Sequence, residues 1–346
     1  MRVTIKDIAK TAGVSVGTVS KVLNGDSSVK DVNRRSVEEA VESLGYNVNK
    51  LARSLAHKPI KIGILLPEIA FGECFIPMIR GVERVVESLA DHKVSAVYVS
   101  YSNNDNEDTV SARLESMIEQ KVDGVVVGPF SFMGLSAQVL KKLQDCKIPI
   151  VFVLSDLQNS KKLACVAIDA DLSGKAAAEL AGLIVNEGEN AAVFVGNKDV
   201  EEHRLKADAF ICRAGELGVS AVGVYETQEE QELAYQLTHT LLRKNPKLRV
   251  IYVATGNSAA VCRAVCDCGK EQYVRIIATD VLTELRPYVE NGLVAGILDQ
   301  HMDEQGAIAV SILYQYLSEG ALEKKDIKIA PSVLLQSGIL HQMKQL

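Results

Sequence analysis

Ten apolar runs, from "KIGILLP" at 61–67 to "VAGILDQ" at 294–300, constrain this chain more than any other feature, because most lack polar alternation. A strand that is apolar on successive residues needs cover on both faces, which in a soluble protein means a parallel sheet between helices. Helical patterns at 75–90, 171–187, 228–244 and 302–318 fall between runs such as "VDGVVVGP", "IPIVFVLSD", "LRVIYVATG" and "VRIIATD". Ten strands exceed one comfortable sheet. The expected body, residues 60–346, is therefore α/β, two Rossmann-like lobes with a cleft between them. At 346 residues and 47% hydrophobic, the chain can bury at least one large core, and two or three folding units are expected.

The N-terminus has no apolar segment of the secretory kind, and no apolar run approaches the roughly 18 residues that cross a bilayer, so the expected location is the cytoplasm, with no membrane partner. Seven cysteines is an odd count for a disulfide framework. Cys262, Cys266 and Cys268 cluster without an adjacent His or fourth Cys, so buried reduced thiols are expected and no metal. There is no G-x-G-x-x-G after a strand, no Walker loop, no G-x-S-x-G elbow and no H-E-x-x-H, so neither a cofactor nor catalytic residues are expected. A sugar-active enzyme on a doubly wound fold is the alternative to a binding protein.

The net charge of −6 conceals an asymmetry. Residues 1–60 hold ten Lys and Arg against six Asp and Glu, so a small basic head precedes an acidic body. That arrangement suits a local anionic partner. Within the head, "TIKDIAKTAGVSVGTVSKVLNG" at 4–25 places two helical patterns around one glycine. Thr4 and Asp7 have capping-box-like spacing, and Ile5, Ile8, Ala9 and Ala12 repeat at helical intervals up to Gly13. Ser15 can cap a second helix that buries Val19, Val22 and Leu23. The pair reads as a helix-turn-helix, followed by a third helix from Lys30 to Leu44 with Gly45 as its cap. The second helix offers Val16, Gly17, Ser20 and Lys21 outward, small polar groups and one cation suited to DNA.

The same stretch resembles, almost position for position, the DNA-binding signature of the LacI/GalR family of bacterial transcription regulators, and "SLGYNVNKLARSL" at 43–55 resembles the family's hinge. The resemblance implies that Ser15, Thr18, Ser20 and Asn24 hold phosphates while Val16, Gly17 and Lys21 face base edges. Thr4 and Arg34 join the expected DNA-facing set, as do the hinge positions Asn49, Ala52, Arg53 and Leu55. Leu55 matches the leucine that wedges into the minor groove beside its twin from a second subunit. Val48 stands where the family usually has proline, which leaves the hinge less preorganised. The implied domains are a helix-turn-helix head at 1–47, a hinge at 48–59 and a two-lobed effector-binding and dimerisation domain at 60–346.

Polar residues fall where runs end: Glu68, Asp156, Asp169, Asn257, Asp280 and Gln300. The carboxyl ends of parallel strands line the ligand crevice, although Asp169 and Asn257 suit helix caps equally. The body resembles the family's periplasmic-binding-protein-like effector domain, nearest in pattern to ribose-type sugar binders. That resemblance implies effector contacts from Asp156, Arg204, Asn257, Asp280 and Gln300, the last following Asp280 by twenty residues. Phe71, Glu73 and Phe75 follow the first strand, and the two phenylalanines could stack on a sugar face; core packing is the competing role for each. Lys206 stands where some relatives carry arginine. The function implied is a homodimeric repressor that binds a near-palindromic operator under control of a small polyhydroxylated effector.

Overall fold

The computed structural model describes residues 3–23, 29–44, 58–68, 73–102, 105–128, 134–157, 160–320 and 326–344. It divides into two compact units that meet in sequence at Pro59 and Ile60.

The head contains α1 (Ile5–Ala12), α2 (Val16–Leu23) and α3 (Asp31–Ser43). Helix α1 begins where the Thr4 N–H and hydroxyl both donate to the Asp7 carboxylate, at 2.8 and 2.7 Å. It ends at Gly13, whose φ of 66° is a left-handed conformation that a side chain would resist. Ser15 then accepts the Thr18 N–H at 3.0 Å and opens α2. Ile8, Val19 and Val37, one from each helix, are wholly buried and hold the three together. Gly45 and residues 48–57 of the expected hinge lie outside the described residues.

The first lobe of the body carries β1 (Ile60–Pro67), β2 (Val94–Tyr101), β3 (Gly124–Val127), β4 (Ile150–Val153) and β5 (Ala164–Ile168), with helices α4 (Ile76–Ser88), α5 (Glu107–Glu119) and α6 (Ala137–Asp145). The second lobe carries β6 (Asn190–Val195), β7 (Ser220–Glu226), β8 (Leu248–Val253), β9 (Arg275–Thr279) and β10 (Val294–Asp299). Its helices are α7 (Ala170–Gly182), α8 (Glu201–Glu216), α9 (Gln231–Lys244), α10 (Ser258–Asp267) and α11 (Arg286–Glu290). Helix α12 (Met302–Glu319) returns to the first lobe, and β11 (Ile327–Ile329), β12 (Ser332–Leu334) and α13 (Gln336–Gln342) close the chain.

The two sheets run in the orders β2-β1-β3-β4-β5-β11 and β7-β6-β8-β9-β10-β12. Every pairing is parallel except β10 with β12. The ten apolar runs become β1–β10. Strands β11 and β12 were not among them, since "IKI" and "SVL" are too short and mixed to register as runs. The chain passes between the lobes three times, after β5, after β10 and between β11 and β12, and hydrogen bonds tie these passages together. The Asp169 N–H donates to the Ile329 carbonyl at 2.7 Å, and the His301 imidazole bonds the Ser332 hydroxyl at 2.8 Å.

Helix packing sets the spacing. A Cβ on Gly81 of α4 would lie 1.9 Å from the Asp303 carbonyl oxygen, and one on Gly306 would lie 2.5 Å from that of Met78, so α4 and α12 touch backbone to backbone. Of the cysteine cluster only Cys262 is buried; Cys266 and Cys268 are half-buried, because they follow it round α10 toward the surface. Among the described residues no helix is long and apolar enough to cross a membrane.

Candidate functional site

On the head, α2 turns Val19 and Val22 inward, which leaves Val16, Gly17 and Lys21 exposed and Thr18 and Ser20 half-buried. The first turn of α2 holds no acidic residue, so the positive end of its dipole is open to an anion. The Ser15 and Thr18 hydroxyls lie 2.9 Å apart and present a shared polar edge at that end. Arg34 is half-buried on α3. Thr4 is exposed, but its N–H and hydroxyl are both engaged by Asp7, so its first role is to cap α1. Asn24, Asn49, Ala52, Arg53 and Leu55 lie outside the described residues.

In the second lobe, the strand ends form a closed polar chain. Gln300, just after β10, donates its backbone N–H to one oxygen of Asp280 at 3.2 Å and its side-chain amide to the other at 2.7 Å. The amide oxygen of Gln300 accepts from Lys206 at 2.6 Å, and Lys206 also pairs with Glu202 one turn earlier on α8. Asp280 sits at φ 60°, an uncommon left-handed geometry for a residue other than glycine, of a kind concentrated at functional sites. Burial raises its carboxyl from the ordinary 3.8 to about 7, although the Gln300 bond and the Lys206 charge both pull it down. The Gln300 carbonyl accepts from Gln305 of α12 at 2.8 Å, which ties this cluster to a helix of the first lobe.

Asn257 follows β8 and makes no side-chain cap to α10. Its oxygen instead accepts from Thr227 at 2.8 Å and lies 3.1 Å from the Thr255 hydroxyl. That hydroxyl donates to Glu229 at 2.6 Å, and His203 lies 3.7 Å from the same carboxylate. Asp169 caps α7 through the Leu172 N–H at 3.0 Å.

Arg204 does not join this chain. It is exposed on α8 and pairs with Asp208 at 3.4 Å, because two positions along a helix are about 200° apart. The cation directed at Gln300 is Lys206, held in place where a Cβ on Gly174 of α7 would meet the Lys206 carbonyl at 2.3 Å. Phe75 is half-buried and packs against the core of the first lobe. Glu73 accepts the Thr283 N–H at 2.9 Å and so spans the two lobes. Phe71 lies outside the described residues. Asp156 pairs with Lys162, which also reaches Asp326 at 3.1 Å.

Asp156 also lines a cavity of about 690 Å³ between the lobes, walled by the segments after β4 and β6, the start of α8 and strand β11. Cys165 borders it, and burial pushes its thiol up to about 12, which keeps it protonated and unreactive. Glu202 joins this cavity to the Lys206–Gln300–Asp280 chain. Neither Glu202 nor Glu229 carries a sequence signal, since each becomes adjacent to the site only through the fold.

The profile of bacterial regulatory proteins of the lacI family matches residues 4–49, and that of the periplasmic binding protein domain matches residues 62–321. The chain is 27% identical over 341 residues to catabolite control protein A of Priestia megaterium, covering 95% of this chain and 97% of that protein. It is 27% identical over 337 residues to catabolite control protein A of Streptococcus mutans, covering 94% of each. Among solved structures, a periplasmic solute binding protein from Actinobacillus succinogenes with bound D-allose superposes with a TM-score of 0.72 at 21% identity. That match covers 82% of this chain and all of the other (100%). GanP, a glucose-galactose binding protein from Geobacillus stearothermophilus, gives 0.69 at 21% identity, over 81% and 99% of the two chains.

Proposed function

We propose how control is exerted in a chain that belongs to the lacI family of bacterial regulatory proteins and carries a periplasmic-binding-protein domain as its body. The protein is a DNA-binding transcription regulator. Helix α2 enters the major groove, with Lys21 donating to guanine acceptors, Val16 touching a thymine methyl, and Ser15, Thr18 and Ser20 holding phosphates. Gly17 has no side chain to read with, so discrimination by this helix is modest and the hinge residue Leu55 adds the rest by kinking the operator centre. Two copies bind a near-palindrome as a cytoplasmic homodimer, and the resting action is repression.

The body acts by binding rather than by turnover. A small polyhydroxylated effector enters the cleft and favours one arrangement of the lobes, and the three hydrogen-bonded passages carry that preference toward the hinge. A tenfold change in operator affinity needs only about 1.4 kcal/mol of differential binding between the two states. The observation that carries this reading is the pairing of a head whose α2 face is free of acidic residues with a body whose strand ends converge on a cleft.

The test is selection of operator sites from a random duplex pool, followed by binding of Lys21→Ala and Leu55→Ala. Lys21→Ala is expected to cost about 1–3 kcal/mol and relax one position of each half-site. Leu55→Ala is expected to weaken specific binding while leaving non-specific binding intact. Recovery of no enriched sequence, or equal specific affinity in all three proteins, would refute the reading.

A further inference from the structure

The bond from Glu73 to Thr283 gives the body a contact that depends on how its lobes are arranged, and its role rests on the reading above that control runs through that arrangement. Glu73 follows β1 in the first lobe and accepts the Thr283 N–H of the second at 2.9 Å, 210 residues away in the chain. Both ends of the bond are anchored. Two residues on from Glu73, Phe75 packs on the first-lobe core, and α4, which starts at Ile76, is locked to α12 by the backbone contacts at Gly81 and Gly306. On the other side Val281, Leu282 and Leu285 are buried in the second-lobe core, so the Thr283 N–H cannot follow Glu73 if the first lobe moves. Thr283 also lies three residues after Asp280, which places the contact next to the polar chain at the strand ends.

A bond from an N–H to a carboxylate is charge-assisted, but at an exposed site it holds by a small margin. Glu284, beside Thr283, works against it. Burial and the negative charge of Glu73 both hold the Glu284 carboxyl above its ordinary 4.5, while Arg263 pulls it down. One attraction and one repulsion therefore meet at the same point between the lobes. We propose that Glu73 is an interlobe clasp whose bond to the Thr283 N–H, opposed by Glu284, sets how readily the lobes separate when no effector is bound. An effector entering the cleft then acts on a body already biased toward one arrangement, and a bias of this size is small enough for its binding to override.

The test uses the full chain without effector, at low salt. Glu73→Ala is expected to speed amide exchange in the 281–285 segment about tenfold and to raise the radius of gyration in X-ray scattering. Glu284→Gln removes the repulsion and is expected to slow that exchange about twofold, an effect absent in the Glu73→Ala background. Both residues are exposed, so folding is retained and is checked by circular dichroism. Because the two changes push the lobes in opposite directions, affinity for a selected operator is expected to move in opposite directions too, whichever arrangement binds DNA. Faster exchange in Glu73→Ala with an unchanged radius of gyration, or native exchange in Glu284→Gln, would overturn the clasp. Shifts in exchange and scattering with operator affinity unmoved in both variants would leave the clasp standing and overturn the control by lobe arrangement on which its role rests.

Discussion

Lys206→Met tests whether the polar chain in the second lobe is a coupled unit. Lys206 is 2% exposed, and its ammonium is held by Glu202 and by Gln300. Methionine keeps the length and packs well, so the change removes the charge and little volume. Two groups lose their partner, the Glu202 carboxylate and the Gln300 amide oxygen. Removing one member of a buried ion pair costs about 3–5 kcal/mol. Glu202 is 15% exposed on its side chain and can reach some water, which lowers the figure, while the orphaned amide acceptor adds back part of it. The net expectation is a loss of about 3 kcal/mol. Urea unfolding followed by circular dichroism reads this as a midpoint lowered by roughly 1 M at an m of about 3 kcal/mol/M, with m unchanged. Adding Glu202→Gln removes the stranded charge, so the double variant is expected to recover about half the loss. A Lys206→Met loss below about 1 kcal/mol, or simple additivity in the double variant, would refute the claim that these groups act as one buried network.

Asp280 supplies a pH signature. Its folded value of about 7 lies above the ordinary 3.8, so between these values the folded state binds more protons than the unfolded state, and stability is expected to rise as pH falls from about 7 toward 4. Asp280→Asn should flatten that slope, measured as melting temperature against pH relative to the native protein. Gly81→Ala places a Cβ 1.9 Å from the Asp303 carbonyl oxygen and is expected to cost about 1–3 kcal/mol by forcing α4 from α12, read as a lowered urea midpoint. Val19→Ala cuts a wholly buried side chain from the small core of the head and is expected to cost about 2 kcal/mol there. Operator affinity should fall with it while the melting transition of the body stays in place, because the two units have separate cores.

Part of the candidate site is legible in the sequence because its signals are local. Asp280 and Gln300 each end an apolar run, and adjacent parallel strands β9 and β10 carry their ends to the same edge. Arg204 and Lys206 were harder to separate, since both lie near the start of the same helix, and only the helical phase distinguishes them. That phase is set by α7 pressing against α8 at Gly174. For Phe75 the sequence leaves sugar stacking and core packing both open, and the fold packs it against the first-lobe core.

Taken alone, the sequence determined the elements: a capped helix, a glycine turn and a second helix at 4–25, and ten strands, most of them apolar enough to demand cover on both faces. These follow from periodicity and capping, which act over a few residues. Only the tertiary structure decided which lobe receives α12, β11 and β12, that Lys206 rather than Arg204 meets Gln300, and that Asp280 is buried deeply enough to hold its proton near neutrality. Those outcomes depend on helix phase, close backbone approach and the exclusion of water, all of which arise from segments distant in the chain.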